Sequence, residues 1–111
     1  MEIKELSKNI VLAVLSGDGQ VKNDLAEARQ FIDSNSSCHL VLDFSSVEMI
    51  NSSIITELLS VRELLNKHQR RLIISGLSFL NRSVFVAAGL LNVFKLVTDK
   101  KSALIALEHT C

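Results

Sequence analysis

The chain has no proline, no tryptophan and no tyrosine, and only four glycines and two cysteines among its 111 residues. Without proline, low-complexity tracts or internal repeats, nothing marks a domain boundary, so residues 1–111 read as one domain of ordinary size. Cys38 and Cys111 lie far apart and form no Cys-x-x-Cys pair, which excludes a disulfide framework. Net charge is also missing: twelve lysines and arginines balance twelve aspartates and glutamates. A nucleic-acid or anionic-membrane binder would need a basic footprint, so neither partner is expected. The aromatic residues are five phenylalanines, core fillers rather than a base-stacking platform. No basic stretch leads into a long apolar one, and the apolar run Ile10–Leu15 is far too short to span a bilayer. A cytoplasmic protein without membrane insertion is the expectation.

Catalytic constellations are absent too. His39, His68 and His109 are scattered, and none has a histidine, cysteine or carboxylate neighbour at ligand spacing, so no metal is expected. No serine stands in a Gly-x-Ser-x-Gly elbow. Gly17-Asp18-Gly19 lacks the further glycines and the lysine-serine ending of a phosphate loop, and reads as a turn. Arg70-Arg71 and Lys100-Lys101 read as solvated element ends. No acid–base pair or nucleophile appears, and no cofactor is implied, so the chain is not expected to be an enzyme.

What is present is a core: 48% of the residues are apolar. Glu2 to Leu6 is a possible edge strand. Ile10 to Ser16 is a stronger one, its unbroken apolar run implying cover on both faces. Asn23 or Asp24 can cap a helix to about Asp33, with Leu25, Ala28, Phe31 and Ile32 inward and Glu27, Arg29 and Gln30 in solvent. After the Ser34-Asn35-Ser36-Ser37 loop, His39 to Phe44 is a central strand. A long helix from Ser52 or Ser53 to about Lys67 follows. Its apolar stripe is Ile54, Ile55, Leu58, Leu59, Val61 and Leu65, opposite Thr56, Glu57, Ser60 and Glu63. Arg71 to Ser75 is a strand. Ser78 to Ala88 is a helix carrying Leu80, Val84, Phe85 and Ala88 inward, closed by Gly89. Phe94 to Val97 is the last strand, and Asp99 can cap a helix from Lys100 to about Glu108 with Ala103, Leu104 and Leu107 inward. This order specifies an α/β domain on a mixed, mainly parallel sheet of four to five strands with about four helices.

Ligands and partners of such sheets usually meet the carboxyl ends of the strands, where the loop from Asp43 to Ser53 must lie. Asn51-Ser52-Ser53 stands where a helix cap should stand. Ser52 or Ser53 can be the cap, its hydroxyl accepting an orphan amide hydrogen bond. Alternatively one of them is phosphorylated, since free amides and the positive end of the helix dipole receive a phosphate well.

The segment Leu40-Val41-Leu42-Asp43-Phe44-Ser45-Ser46-Val47-Glu48-Met49-Ile50-Asn51-Ser52-Ser53 resembles the signature of the STAS domain (sulfate transporter and anti-sigma factor antagonist). That signature is an apolar strand ending in Asp/Asn-Leu, a short loop, then Asp-Ser-Ser/Thr-Gly opening a long helix. Ala88-Gly89-Leu90 followed by Phe94 resembles a second family pattern, Ser/Ala-Gly-Leu before a hydrophobic strand. The chain is short and so resembles the stand-alone bacterial anti-sigma factor antagonists. The resemblance implies a non-enzymatic phospho-switch. Unphosphorylated, it would bind a serine kinase of the histidine-kinase-like fold, often itself the anti-sigma factor. Phosphorylation at Ser52, with Ser53 the alternative, would release it, and a metal-dependent serine phosphatase would reset it. The partner surface carried over is Asn51, Ser52, Ser53 and Ile54.

Three positions depart from the pattern: Asn51 replaces its aspartate, Ile54 its glycine, and Gln20 the aspartate of an upstream Gly-x-Leu-Asp turn. The bulky Ile54 is expected to narrow a partner's approach. Two other functions fit the same fold: a scaffold or transport-accessory subunit that is never phosphorylated, and a small-ligand binding module using the strand-end crevice.

Overall fold

The computed structural model describes residues 1–17, 19–35 and 37–108; Asp18, Ser36, His109 and Cys111, which figure in the expectations above, lie outside them. The described residues form five strands and four helices, which alternate after an opening strand pair: β1 (Glu2–Ser7), β2 (Ile10–Val14), α1 (Val21–Ser34), β3 (His39–Asp43), α2 (Ser52–Lys67), β4 (Leu72–Ser75), α3 (Phe79–Ala87), β5 (Lys95–Val97) and α4 (Lys100–Glu108). The sheet order is β1-β2-β3-β4-β5, with β1 antiparallel to β2 and every other pair parallel. This is the mixed, mainly parallel α/β sheet that the order of elements predicts.

Alternation along the strands separates two apolar layers. Val11, Ala13, Leu40, Leu42, Leu72 and Ile74 point to one face, where Leu25, Ala28, Ile32, Leu58, Val61, Leu65 and Phe85 of α1, α2 and α3 cover them. Ile10, Leu12, Val41 and Ile73 point the other way and meet Ala103 and Leu107 of α4. Strands that advance one place at each crossover keep all three crossover helices on one face, as same-handed connections require. Both faces of β2, β3 and β4 are therefore buried, which is why their sequences are continuous apolar runs.

Several helix details differ from the expectations. Neither Asn23 nor Asp24 caps α1, which begins at Val21 after Gln20, with no side-chain cap. Asp24 instead lies one turn inside, 5% exposed, and its Oδ2 accepts the Ser16 N–H at 2.8 Å. It satisfies the backbone just past β2 rather than that of its own helix. On α2 the inward stripe is Ile54, Leu58, Val61 and Leu65, while Leu59 is exposed. Glu57 is half-buried rather than solvated, with Oε2 3.4 Å from Arg29 of α1. On α3, Leu80 and Ala88 are exposed, Val84 is half-buried, and the inward residues are Asn81 and Phe85, one helical turn apart. Phe94 precedes β5 rather than joining it, and its ring meets Phe85 edge-on with centroids 5.6 Å apart.

The helix ends are otherwise orderly. Asp99 caps α4, accepting the Ser102 N–H at 2.8 Å. Gly89 (φ 71°) closes α3 with paired bonds from Leu90 N to Phe85 O and from Gly89 N to Val86 O. The end of α2 has the same bond pattern, but its left-handed position is Gln69, at φ 59°.

Candidate functional site

The carboxyl ends of the parallel strands are laced together by main-chain bonds. Leu15 N–H donates to Asp43 O at 3.1 Å and Phe44 N–H to Ser75 O at 2.8 Å. Asp43, at the end of the central strand, turns its Oδ1 onto the Ser45 N–H at 2.8 Å and starts the loop. Here the loop after β2 crosses the loop after β3 so closely that a Cβ on Gly17 would lie 2.6 Å from Ser46 O. Only a residue without a side chain fits there.

From Phe44 to Asn51 the loop alternates between core and solvent. Phe44, Val47 and Ile50 are buried, whereas Glu48 is exposed and Met49 is 71% exposed. Asn81, fully buried on the first turn of α3, holds this loop from below. Its Oδ1 accepts the Ile50 N–H at 3.0 Å, and its Nδ2 donates to Val47 O at 3.0 Å. Asn81 is itself held by Ser78, whose Oγ accepts the Asn81 N–H at 3.1 Å as the α3 cap.

Asn51, rather than Ser52 or Ser53, caps α2. Its backbone is extended and its Oδ1 accepts the Ile54 N–H at 3.0 Å. The cap expectation for the two serine hydroxyls is thus corrected: Ser52 and Ser53 are the first two helical residues, and both are exposed. No acidic residue lies in this first turn, so the positive end of the helix dipole is uncompensated there. Ser52 also anchors the turn through its carbonyl, which accepts from Thr56 Oγ1 at 3.0 Å.

Ile54 is contiguous with these residues but turns inward. It is 7% exposed and packs in the core layer beneath α1 and α2. Most of the bulk that replaces glycine is taken up by the interior, while the remaining surface of Ile54 forms part of the wall of the cleft beside Asn51 and Ser53. Ser53, Asn51, Met49 and Lys22 border an open cleft of ≈ 460 Å³ between the loops after β2 and β3. Ser52 stands beside this cleft rather than in its lining.

Sequence reasoning missed Asn81 and Lys22, and it read Gly17 as a turn residue without its close approach to Ser46. The first had a usable signal, since Asn81 shares the inward face of its helix with Phe85 and an amide placed there must find buried partners. Among the described residues no cluster of three or more histidine, cysteine or acidic side chains could hold a metal ion. No helix among them is long and apolar enough to cross a membrane.

The fold and site together define an α/β domain that presents two free hydroxyls on a helix start braced from within. Residues 4–103 match the family model of the STAS domain. The chain belongs to the STAS domain family. Its structure is similar to that of an anti-sigma factor antagonist from Mycobacterium paratuberculosis, with a TM-score of 0.79 at 21% identity over 96% of this chain and 92% of that one. It is also similar to the anti-sigma factor antagonist SpoIIAA in its unphosphorylated form, with a TM-score of 0.79 at 19% identity over 99% and 97% of the two chains. The phosphorylated form of SpoIIAA, described as a Bacillus cell fate determinant, gives 0.69 at 17% identity over 96% and 97%. Comparison with curated protein sequences finds no significant match.

Proposed function

We propose that this single STAS domain is a cytoplasmic phospho-switch that acts by binding rather than by catalysis. The observation that carries it is the division of labour at the start of α2. Asn51 satisfies the helix terminus, which leaves the Ser52 and Ser53 hydroxyls exposed and uncommitted. Ser52 is the proposed phosphorylation site, with Ser53 the alternative. Its similarity to anti-sigma factor antagonists supports a serine kinase of the histidine-kinase-like fold, or an anti-sigma factor, as the partner, with a metal-dependent serine phosphatase for reset. Asn51, Ser52, Ser53 and exposed Met49 form the contact surface, and Ile54 contributes from beneath. Neither nucleic acid nor a membrane is a partner.

A phosphate on Ser52 adds a charge of about −1.5 to −2 beside free amides and a helix dipole, so the fold tolerates it. Asn51 adds no carboxylate next to it. Because Asn81 clamps the preceding loop, phosphorylation works by charge and bulk at the interface, where a partner shaped for a neutral hydroxyl must desolvate the phosphate.

The test is intact mass and site mapping on protein from its native host under several growth conditions, combined with partner binding by Ser52→Ala and Ser52→Asp. A phosphoryl group on Ser52 that comes and goes, with Ser52→Ala binding constitutively and Ser52→Asp weakly, is expected. Phosphate on Ser53 instead keeps the switch and moves its site. A partner held with equal affinity by both variants, with no phosphate in any condition, overturns the switch in favour of a scaffold.

A further inference from the structure

At the opposite end of the sheet, where the parallel strands begin, a second set of side chains converges. The hairpin turn after β1 brings Lys8 and Asn9, β3 begins at His39, and Arg70 and Arg71 lead into β4. These pieces are tied together. His39 N–H donates to Asn9 O at 2.7 Å, Leu40 N–H donates to Arg71 O at 3.0 Å, and His39 Nδ1 accepts the Arg71 N–H at 3.0 Å. Lys8, Asn9, His39, Arg70 and Glu108 border a cavity of ≈ 340 Å³.

Arg70 is the anomaly in this arrangement. Its Nε is buried yet has no hydrogen-bond partner. A buried guanidinium N–H is a charged donor, and leaving it unmade costs more than leaving a neutral one. Glu108 is the one carboxylate among the described lining residues, and it makes no ion pair with Lys8 or Arg70. The chain as a whole has no net charge, so the positive character here is local. His39 registers it: burial, then the Arg70 and Arg71 charges, hold the imidazole below its ordinary value.

We propose that this cavity is a binding site for a small phosphate-bearing anion, with Arg70 as the principal donor and Lys8 and the His39 Nε2–H as its helpers. An arginine fork matches the geometry of an oxyanion, and Arg70, half-buried on the cavity wall, makes no ion pair among the described residues that such a ligand would have to displace. Because Nδ1 of His39 is already an acceptor, its Nε2 carries the proton in the neutral ring and can donate without a change of charge. The cavity has the volume of a small-molecule site, not of a peptide groove. It lies at the other end of the strands from Ser52 and is independent of the switch.

The experiment is an amide and arginine-Nε NMR titration of the whole chain with sodium phosphate, against sodium chloride at matched ionic strength. The expected result is saturable shifts confined to Ser7–Ile10, His39, Arg70 and Arg71, with Arg70→Gln weakening binding about tenfold or more. A parallel titration with ribose 5-phosphate separates free phosphate from a phosphomonoester as the preferred ligand. Shifts that match chloride, persist in Arg70→Gln, or fall at the starts of α2 or α4 overturn the proposal. Should Arg70→Gln fail to fold, Lys8→Gln on the exposed turn makes the same comparison. Ser52→Asp is expected to bind phosphate here as the wild type does.

Discussion

Asn81 and Ile50 are 31 positions apart in the chain, yet the Asn81 Oδ1 accepts the Ile50 N–H at 3.0 Å inside the core. Together with the bond from Nδ2 to Val47 O, this makes one side chain the internal support of the loop that delivers Ser52. Replacing it by Leu leaves one N–H and one C=O of that loop buried without partners. Asn81→Leu is expected to lower stability by about 2–4 kcal/mol. Urea denaturation measures the loss, and hydrogen exchange at the Ile50 amide reports it locally. An unchanged midpoint would mean that the loop supports itself.

The start of α2 offers a separable test of capping and charge. Asn51→Ala removes the acceptor for the Ile54 N–H and is expected to cost about 1 kcal/mol. Asn51→Asp keeps the cap and adds a charge that the dipole favours, so its stability should equal or exceed the wild type. That same charge lies beside Ser52. A double-mutant cycle of Asn51→Asp with Ser52→Asp should therefore show an unfavourable coupling of a few tenths of a kcal/mol, shrinking with salt. A coupling of zero at low salt would separate the two side chains electrostatically.

These two residues also mark how far the sequence could be read. The strands β2, β3 and β4 and the helix α2 were legible because their signals are local: apolar runs, a helical stripe and a polar cluster at the helix start. Asn51, Ser52 and Ser53 are all good capping residues, so sequence could locate the helix start without choosing among them. In the folded chain Asn51 is the cap, and that is what releases both hydroxyls. The partners of Asn81 were hidden for the opposite reason: its place on the inward face beside Phe85 was readable, but the Ile50 and Val47 backbone groups it pairs lie on another segment and only tertiary packing brings them there. Asp24 followed the same rule, taken from helix capping by the Ser16 amide eight positions back. The exposure of Leu59, Leu80 and Ala88 has a related cause, since the inward face of each helix is set by what lies across from it.

Gln69 provides a change remote from the site. It occupies the left-handed position that closes α2, at φ 59°, where a Cβ is disfavoured. Gln69→Gly relieves that strain within the same bond pattern and is expected to raise stability by about 1 kcal/mol, offset in part by the freer unfolded chain. Thermal unfolding at fixed pH is the measurement. Destabilisation would show that the Gln69 side chain makes a contact worth more than the strain.

His39 makes stability depend on pH in a stated direction. Its folded-state affinity for protons is lowered from the ordinary 6.5, first by burial and then by the charges of Arg70 and Arg71. Through the window just below that value the unfolded chain binds more protons than the folded one, so stability rises with pH there and falls on acidification. Protonation would also turn the Nδ1 acceptor into a donor and break its bond from the Arg71 N–H. Denaturation midpoints taken between about pH 7.5 and 5.5 should therefore decline for the wild type. In His39→Gln, whose amide oxygen can replace the acceptor but cannot titrate, this component of the decline should vanish. Identical pH profiles for the two proteins would assign the decline to other groups and leave His39 without a linkage role.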